Sequence, residues 1–216
     1  MNKKVQALAV SGVLTVGVIG GTLAWFTSQD KVTNTFNTAS NSENGKGIKI
    51  EEEFVEPKNM LPGDEVNKDV QVKNTATYDQ FIRVKLKPTF VEVGKDGSRN
   101  EIKQREIINE LGQKQTCSLE TSKIILNFTE NLKTDKNDGP WIKDGDYYYY
   151  MGKVKPSELT SMLLDSVTLS KDAGNEYKGL VFDIDVEAES IQASNNAYET
   201  WSEAKNLFKD FGELQK

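Results

Sequence analysis

Ile82, Val84 and Leu86 alternate with Arg83, Lys85 and Lys87, and further on Phe182, Ile184, Val186 and Ala188 alternate with Asp183, Asp185, Glu187 and Glu189. Successive side chains of a strand leave on opposite faces, so a period of two predicts strands that bury one face and wet the other. Ile48 and Ile50, Val70 and Val72, and Ile124, Leu126 and Phe128 repeat the period, and Tyr147 to Tyr150 and Val167 to Leu169 are further β-prone runs. Turn signals stand between them: Leu61-Pro62-Gly63-Asp64, Gly94-Lys95-Asp96-Gly97, Asn137-Asp138-Gly139-Pro140 and Asp144-Gly145-Asp146. About eight strands joined by turns predict an all-β fold, an antiparallel jelly-roll-like β-sandwich. The two leading strands carry opposite charge on their polar faces. Side by side, they would form cross-strand pairs of about a few tenths of a kcal/mol each and fix the register.

Two helices are predicted around the strands. Ser98-Arg99-Asn100-Glu101 has capping-box spacing ahead of Ile102, Ile107, Ile108 and Leu111, with Gly112 as a stop, which predicts a short inserted helix. Near the end, Asn196 can cap a helix with Glu199 three residues on, and Ala197, Trp201, Ala204, Phe208 and Phe211 form one apolar stripe before Gly212. Its other face is mixed in charge, so an amphipathic helix docked on the sandwich is expected. The predicted organisation is a signal peptide over 1–24, an N-terminal strand and linker over 25–47, the sandwich over 48–193, and the terminal helix over 194–216.

The leader reading comes from Asn2-Lys3-Lys4, the uncharged run Val5 to Ile19, and the small residues Gly20-Gly21-Thr22-Leu23-Ala24. These are the three parts of a secretory signal, with cleavage expected between Ala24 and Trp25. The chain is therefore expected outside the cell, in extracellular matrix or at the cell surface, meeting the membrane only before cleavage and a signal peptidase during export. Residues 1–24 carry two lysines and no acid, so their removal takes the net charge from -6 to -8. That surface disfavours nucleic acid as a partner.

Histidine is absent from the chain and Cys117 is its single cysteine. Zinc hydrolases and Ser or Cys nucleophiles draw on imidazole, so no catalytic, metal-ligating or cofactor-binding residue is assigned. Internal disulfides are excluded by count, and Cys117 is expected as a small buried apolar residue. Asp135-Lys136-Asn137-Asp138-Gly139 places glycine one residue too early for an EF-hand loop and reads as a turn.

Residues 25–37 are rich in β-formers, with Phe26, Val32, Asn34 and Phe36 at equal parity, and Thr38 to Gly47 is a polar linker. A tethered strand can fold back on its own sheet or pair with the open edge of another copy. Head-to-tail use of one strand and one groove builds a homopolymer.

The run Gly20-Gly21-Thr22-Leu23-Ala24-Trp25-Phe26 with Asn34-Thr35-Phe36 resembles the export signal of the TasA/camelysin group of secreted Gram-positive biofilm proteins. Met60 to Val70, Lys73-Asn74-Thr75, Phe81 to Lys85, and Glu187 to Ala193 with Asn196-Ala197 and Trp201 are similar to its clostridial BsaA-like branch. The resemblance implies a jelly-roll subunit that donates its N-terminal strand to a neighbour in an extracellular fibre. Through camelysin it also implies a metallopeptidase label, which a chain without histidine does not suit.

Some Gram-positive surface fibres carry Lys-Asn or Lys-Asp isopeptide bonds, and Lys31 is the candidate donor here. The sequence thus points to a non-enzymatic structural subunit. A carbohydrate- or protein-binding module is the alternative, in which loop aromatics such as Trp141 beside Pro140 could stack on sugar rings, although a core role is expected for most of them, and a metallopeptidase ranks behind both.

Overall fold

The computed structural model describes residues 27–32, 47–53, 61–109, 111–134, 139–194, 196–203 and 206–208, with 27–32 as a backbone strand. Numbered in chain order, one sheet runs β1 (Thr27–Val32), β13 (Val181–Gln192), β4 (Gln80–Val93), β11 (Tyr147–Tyr150), β10 (Trp141–Asp144) and β9 (Leu132–Lys133). The short β5 (Arg99–Glu101) pairs the far end of β4. A second sheet runs β2 (Ile48–Glu51), β3 (Glu65–Asn74), β12 (Leu164–Leu169) and β8 (Ile124–Phe128), and β6 (Gln104–Ile108) pairs β7 (Lys114–Ser118) in a hairpin. The protein is an all-β sandwich.

Its core follows the alternation. Ile48, Ile50, Val70 and Val72 of the second sheet join Ile82, Val84, Ile184, Val186 and Ala188 of the first in one buried cluster. Twelve residue pairs join β4 and β13, and within them Lys87 faces Asp185, Lys85 faces Glu187 and Arg83 faces Glu189. The expected meeting of the two charged rows therefore occurs. Asp183 faces Thr89 instead and meets Arg99 of β5, whose Nε lies 3.2 Å from Oδ2.

The inserted helix expected after Ser98 is replaced by β5, β6 and the turn into β7. Gly97 sits at φ +82°, and Asp96 accepts the Ser98 N–H at 3.0 Å, closing a turn that sends the chain back along β4. Ile102 then donates its N–H to the Phe90 carbonyl at 2.9 Å, so an amide that a helix would use internally goes to a strand neighbour. Asn109 closes the next turn by accepting from the N–H groups of Leu111 and Gln113, with Gly112 at φ +73°. Capping-box spacing was outweighed by two turns with their own side-chain acceptors. Cys117 is only half-buried, because β7 belongs to this hairpin and not to a main sheet.

The C-terminal stripe docks on its own sheet, as expected, but begins as a 3-10 turn over Ala197–Thr200, and helical geometry appears again at residues 206–208. Asn196 adopts a left-handed conformation and makes no side-chain cap bond. Ala204 and Phe211 lie outside the described residues.

Candidate assembly site

β13 offers one edge to β4 and the other to β1. Along the latter, Thr27 stands opposite Ile191, Gln29 opposite Glu189, Lys31 opposite Glu187 and Val32 opposite Val186. Residues 28, 30 and 32 therefore share rows with the core-facing Ser190, Ala188 and Val186, the last fully buried. Residues 27, 29 and 31 share rows with the opposite face. Among the described residues β1 ends its sheet and is ladder-bonded on one side alone, whereas β13 is bonded on both. Of the residues singled out in the sequence, Lys31 and Val32 are thereby placed opposite Glu187 and Val186 of β13. Phe26, Asn34 and Phe36, with the cleavage residues Ala24 and Trp25, lie outside the described residues.

The outer face of β4 and β13, expected to be wet, is covered at one end. Phe81, Tyr149 and Ile191 are buried there beneath Ala197, Trp201 and Phe208. Arg83 stands in the middle and is only 9% exposed. Its Nε and Nη2 donate to Oε2 of Glu189 at 2.9 and 2.6 Å, and its Nη1 donates to Glu203. Tyr147 and Trp201 hold their rings 3.9 and 4.8 Å from the guanidinium carbon. This geometry combines ion pairing with cation–π contact.

Burial alone would lower the Arg83 pKa, but its bonds to Glu189, Tyr149 and Glu203 more than offset this and raise it. Burial pushes the Tyr149 phenol up to about 12, against the opposing pull of Arg83. The cluster is a clasp: Arg83 ties Glu203 of the C-terminal segment to Glu189 of β13, which is also the row position of Gln29 in β1. Sequence alternation hid this, because Arg83 reads as a solvent-facing residue. The signal that could have exposed it is the apolar pair Phe81 and Ile191, standing on the polar parity of their strands.

A second buried charge lies on the core-facing parity of β3. Lys68 has no exposed surface, and its Nζ lies 2.5 Å from Oε2 of Glu52. Burial lowers its pKa and Glu52 opposes that shift. Trp141, named above under the sugar-binding alternative, is also fully buried and donates its indole N–H to the Ser161 carbonyl at 2.9 Å. That is the core role expected for most such aromatics, and a ring with no exposed face cannot receive a sugar.

Comparison with curated proteins and with solved structures gives no match. A profile described as camelysin metallo-endopeptidase matches residues 1–196. The match spans most of the chain, from residue 1 through the edge strand and the β4–β13 ladder, and the protein therefore belongs to the TasA/camelysin family.

Proposed function

We propose that this protein is a secreted, non-enzymatic subunit of an extracellular biofilm fibre, built when each copy gives its N-terminal strand to the next. The observation that carries this reading is the position of β1. Among the described residues it is the first strand and it ends its sheet, and residues 33–47 of the sequence separate it from β2. Exchanging such a strand requires no unthreading of the remainder. Within the single chain β1 occupies its own β13 edge, so polymerisation replaces one strand with an identical one from a neighbour at little net change in pairing. The clostridial BsaA-like motifs agree with this role.

Lys31 shares a row with Glu187 of the acceptor strand, and we assign it as donor of a reinforcing isopeptide bond. Its Nζ would bond to the side-chain carbonyl carbon of an Asn or Asp, releasing ammonia or water. Fibres that separate fully in hot denaturing detergent would exclude that link, and a mass loss of one ammonia or water per subunit would support it.

The family's metallo-endopeptidase description implies a metal. The residues present do not fit one of the zinc type: histidine is absent from the chain. Among the described residues, no group of three or more His, Cys, Asp or Glu is placed to hold an ion. No hydrolytic step is derived for that reason, and chelator-sensitive cleavage of a test protein would reverse this reading.

The deciding experiment is negative-stain imaging and size-exclusion of the chain with and without residues 25–37. Fibres from the longer form and soluble monomers from the shorter are expected. Fibres from both would remove the donor assignment.

A further inference from the structure

Pro88 lies inside the long β4 strand, where a proline withholds a ladder N–H. The position is permitted because the sheet has a notch there. On the side away from β13, the described ladder to β11 reaches Val84, and pairing resumes with β5 at Val91. The notch opens into a cavity of about 520 Å³, within the roughly 300–1,000 Å³ typical of small-ligand sites. Leu86, Pro88, Phe90, Ile102, Leu119 and Tyr148 supply apolar wall, and Lys85, Lys87, Lys103 and Lys143 supply charge. Only two acids, Glu101 and Asp146, stand among them.

The lysines are unequally engaged. Lys85 donates to Asp146 at 3.0 Å, whereas Lys87 and Lys103 share Glu101 at 3.9 and 3.7 Å, near the limit of an ion pair and in exposed surroundings. Lys143 holds its ammonium 5.4 Å from the centre of the Tyr148 ring. A concave site with two more positive than negative side chains, on a chain of net charge -6, concentrates anions locally.

We infer that this notch binds an anionic saccharide segment, with sugar rings against the apolar wall and their carboxylate or phosphate groups at Lys87, Lys103 and Lys143. An extended acidic peptide fits less well. Pro88 offers it no N–H, and the Phe90 carbonyl already accepts from Ile102. An inorganic anion alone would leave the apolar wall unused. The site lies on the β5 and β11 side of β4, across the sheet from the β1 edge, so it adds a matrix-polymer contact that does not use the strand-donation machinery.

The test is titration calorimetry of the full chain with an oligouronate, a sugar-phosphate oligomer, neutral dextran and a poly-glutamate peptide, at low and high salt. Binding of at least one anionic saccharide, absent for dextran and weakened by salt, is expected. The triple substitution Lys87→Gln, Lys103→Gln, Lys143→Gln changes exposed residues and should keep the sheet spectrum and fibre formation while weakening binding about tenfold or more. The uronate and phosphate arms identify which anion is preferred. Equal binding of dextran, equal or tighter binding of poly-glutamate, unchanged affinity in the triple variant, or no binding at all would overturn the inference.

Discussion

Arg83 and Glu189 face each other across β4 and β13, with two guanidinium nitrogens at 2.6 and 2.9 Å from the same carboxylate oxygen. Removing one partner of a buried pair leaves the other charge uncompensated, which costs about 3–5 kcal/mol. Glu203 retains part of the compensation here, so Glu189→Ala should cost about 3 kcal/mol in urea unfolding. The cost of Glu189→Ala plus Glu203→Ala should depart from additivity by at least about 0.5 kcal/mol. Strictly additive losses would mean that the two carboxylates do not share Arg83.

Tyr149 gives an alkaline signature. Its folded pKa is raised to about 12 from 10.0, so the folded chain holds this proton more tightly than the unfolded chain. The associated stability is fully present below about pH 10 and is lost as pH rises through 12, a change on the order of 2–3 kcal/mol. Stability measured across that window should fall more steeply for the natural chain than for Tyr149→Phe. Parallel curves would contradict the burial of this phenol.

The Lys68–Glu52 pair should respond asymmetrically. Lys68→Met fills the same volume but leaves the Glu52 carboxylate without its partner, and because Glu52 keeps some contact with solvent it should cost only about 1 kcal/mol, whereas Glu52→Ala strands a fully buried ammonium and should cost about 3 kcal/mol. Because Lys68 carries a lowered pKa, it contributes stability that rises with pH as the unfolded value of 10.5 is approached. Lys68→Met should abolish that rise. Equal losses from both substitutions would place the pair outside the core.

The main ladder was readable because Ile82, Val84, Phe182, Ile184, Val186 and Ala188 obey a single period, and the opposite charges on their polar faces pointed to the partner. The hairpin of β6 and β7 was not readable in that way. Ile102, Ile107, Ile108 and Leu111 satisfy helical spacing loosely, and the competing signals, Asp96 with Gly97 and Asn109 with Gly112, act through backbone amides that periodicity does not weigh. The clasp was half legible. Trp201 and Phe208 announced an apolar stripe, but Glu203 and Arg83, 120 residues apart, read as two solvated charges until the fold joined them. The notch at Pro88 was invisible for a related reason, because its lysines come from three separate segments.

The clasp and the β13 edge that pairs with β1 meet at Glu189, and this predicts a local effect of clasp loss on the edge. Phe208 has no exposed surface and packs on Phe81 with ring centres 4.8 Å apart, and Trp201 lies over Arg83. Phe208→Ala should remove about 3–5 kcal/mol of local packing. Once Trp201 and Glu203 detach, Arg83 is freed to solvent and Glu189 loses its fixed partner, at the row where Gln29 of β1 pairs. Hydrogen exchange in Phe208→Ala and Trp201→Ala should therefore accelerate at residues 186–191 of β13, while residues 181–185, beyond the β1 register, keep their protection. In the fibre reading, the same variants should exchange strands faster and polymerise sooner. Uniform acceleration along all of β13 would show that the clasp supports the whole sheet, and no acceleration would show that the edge facing β1 stands without it.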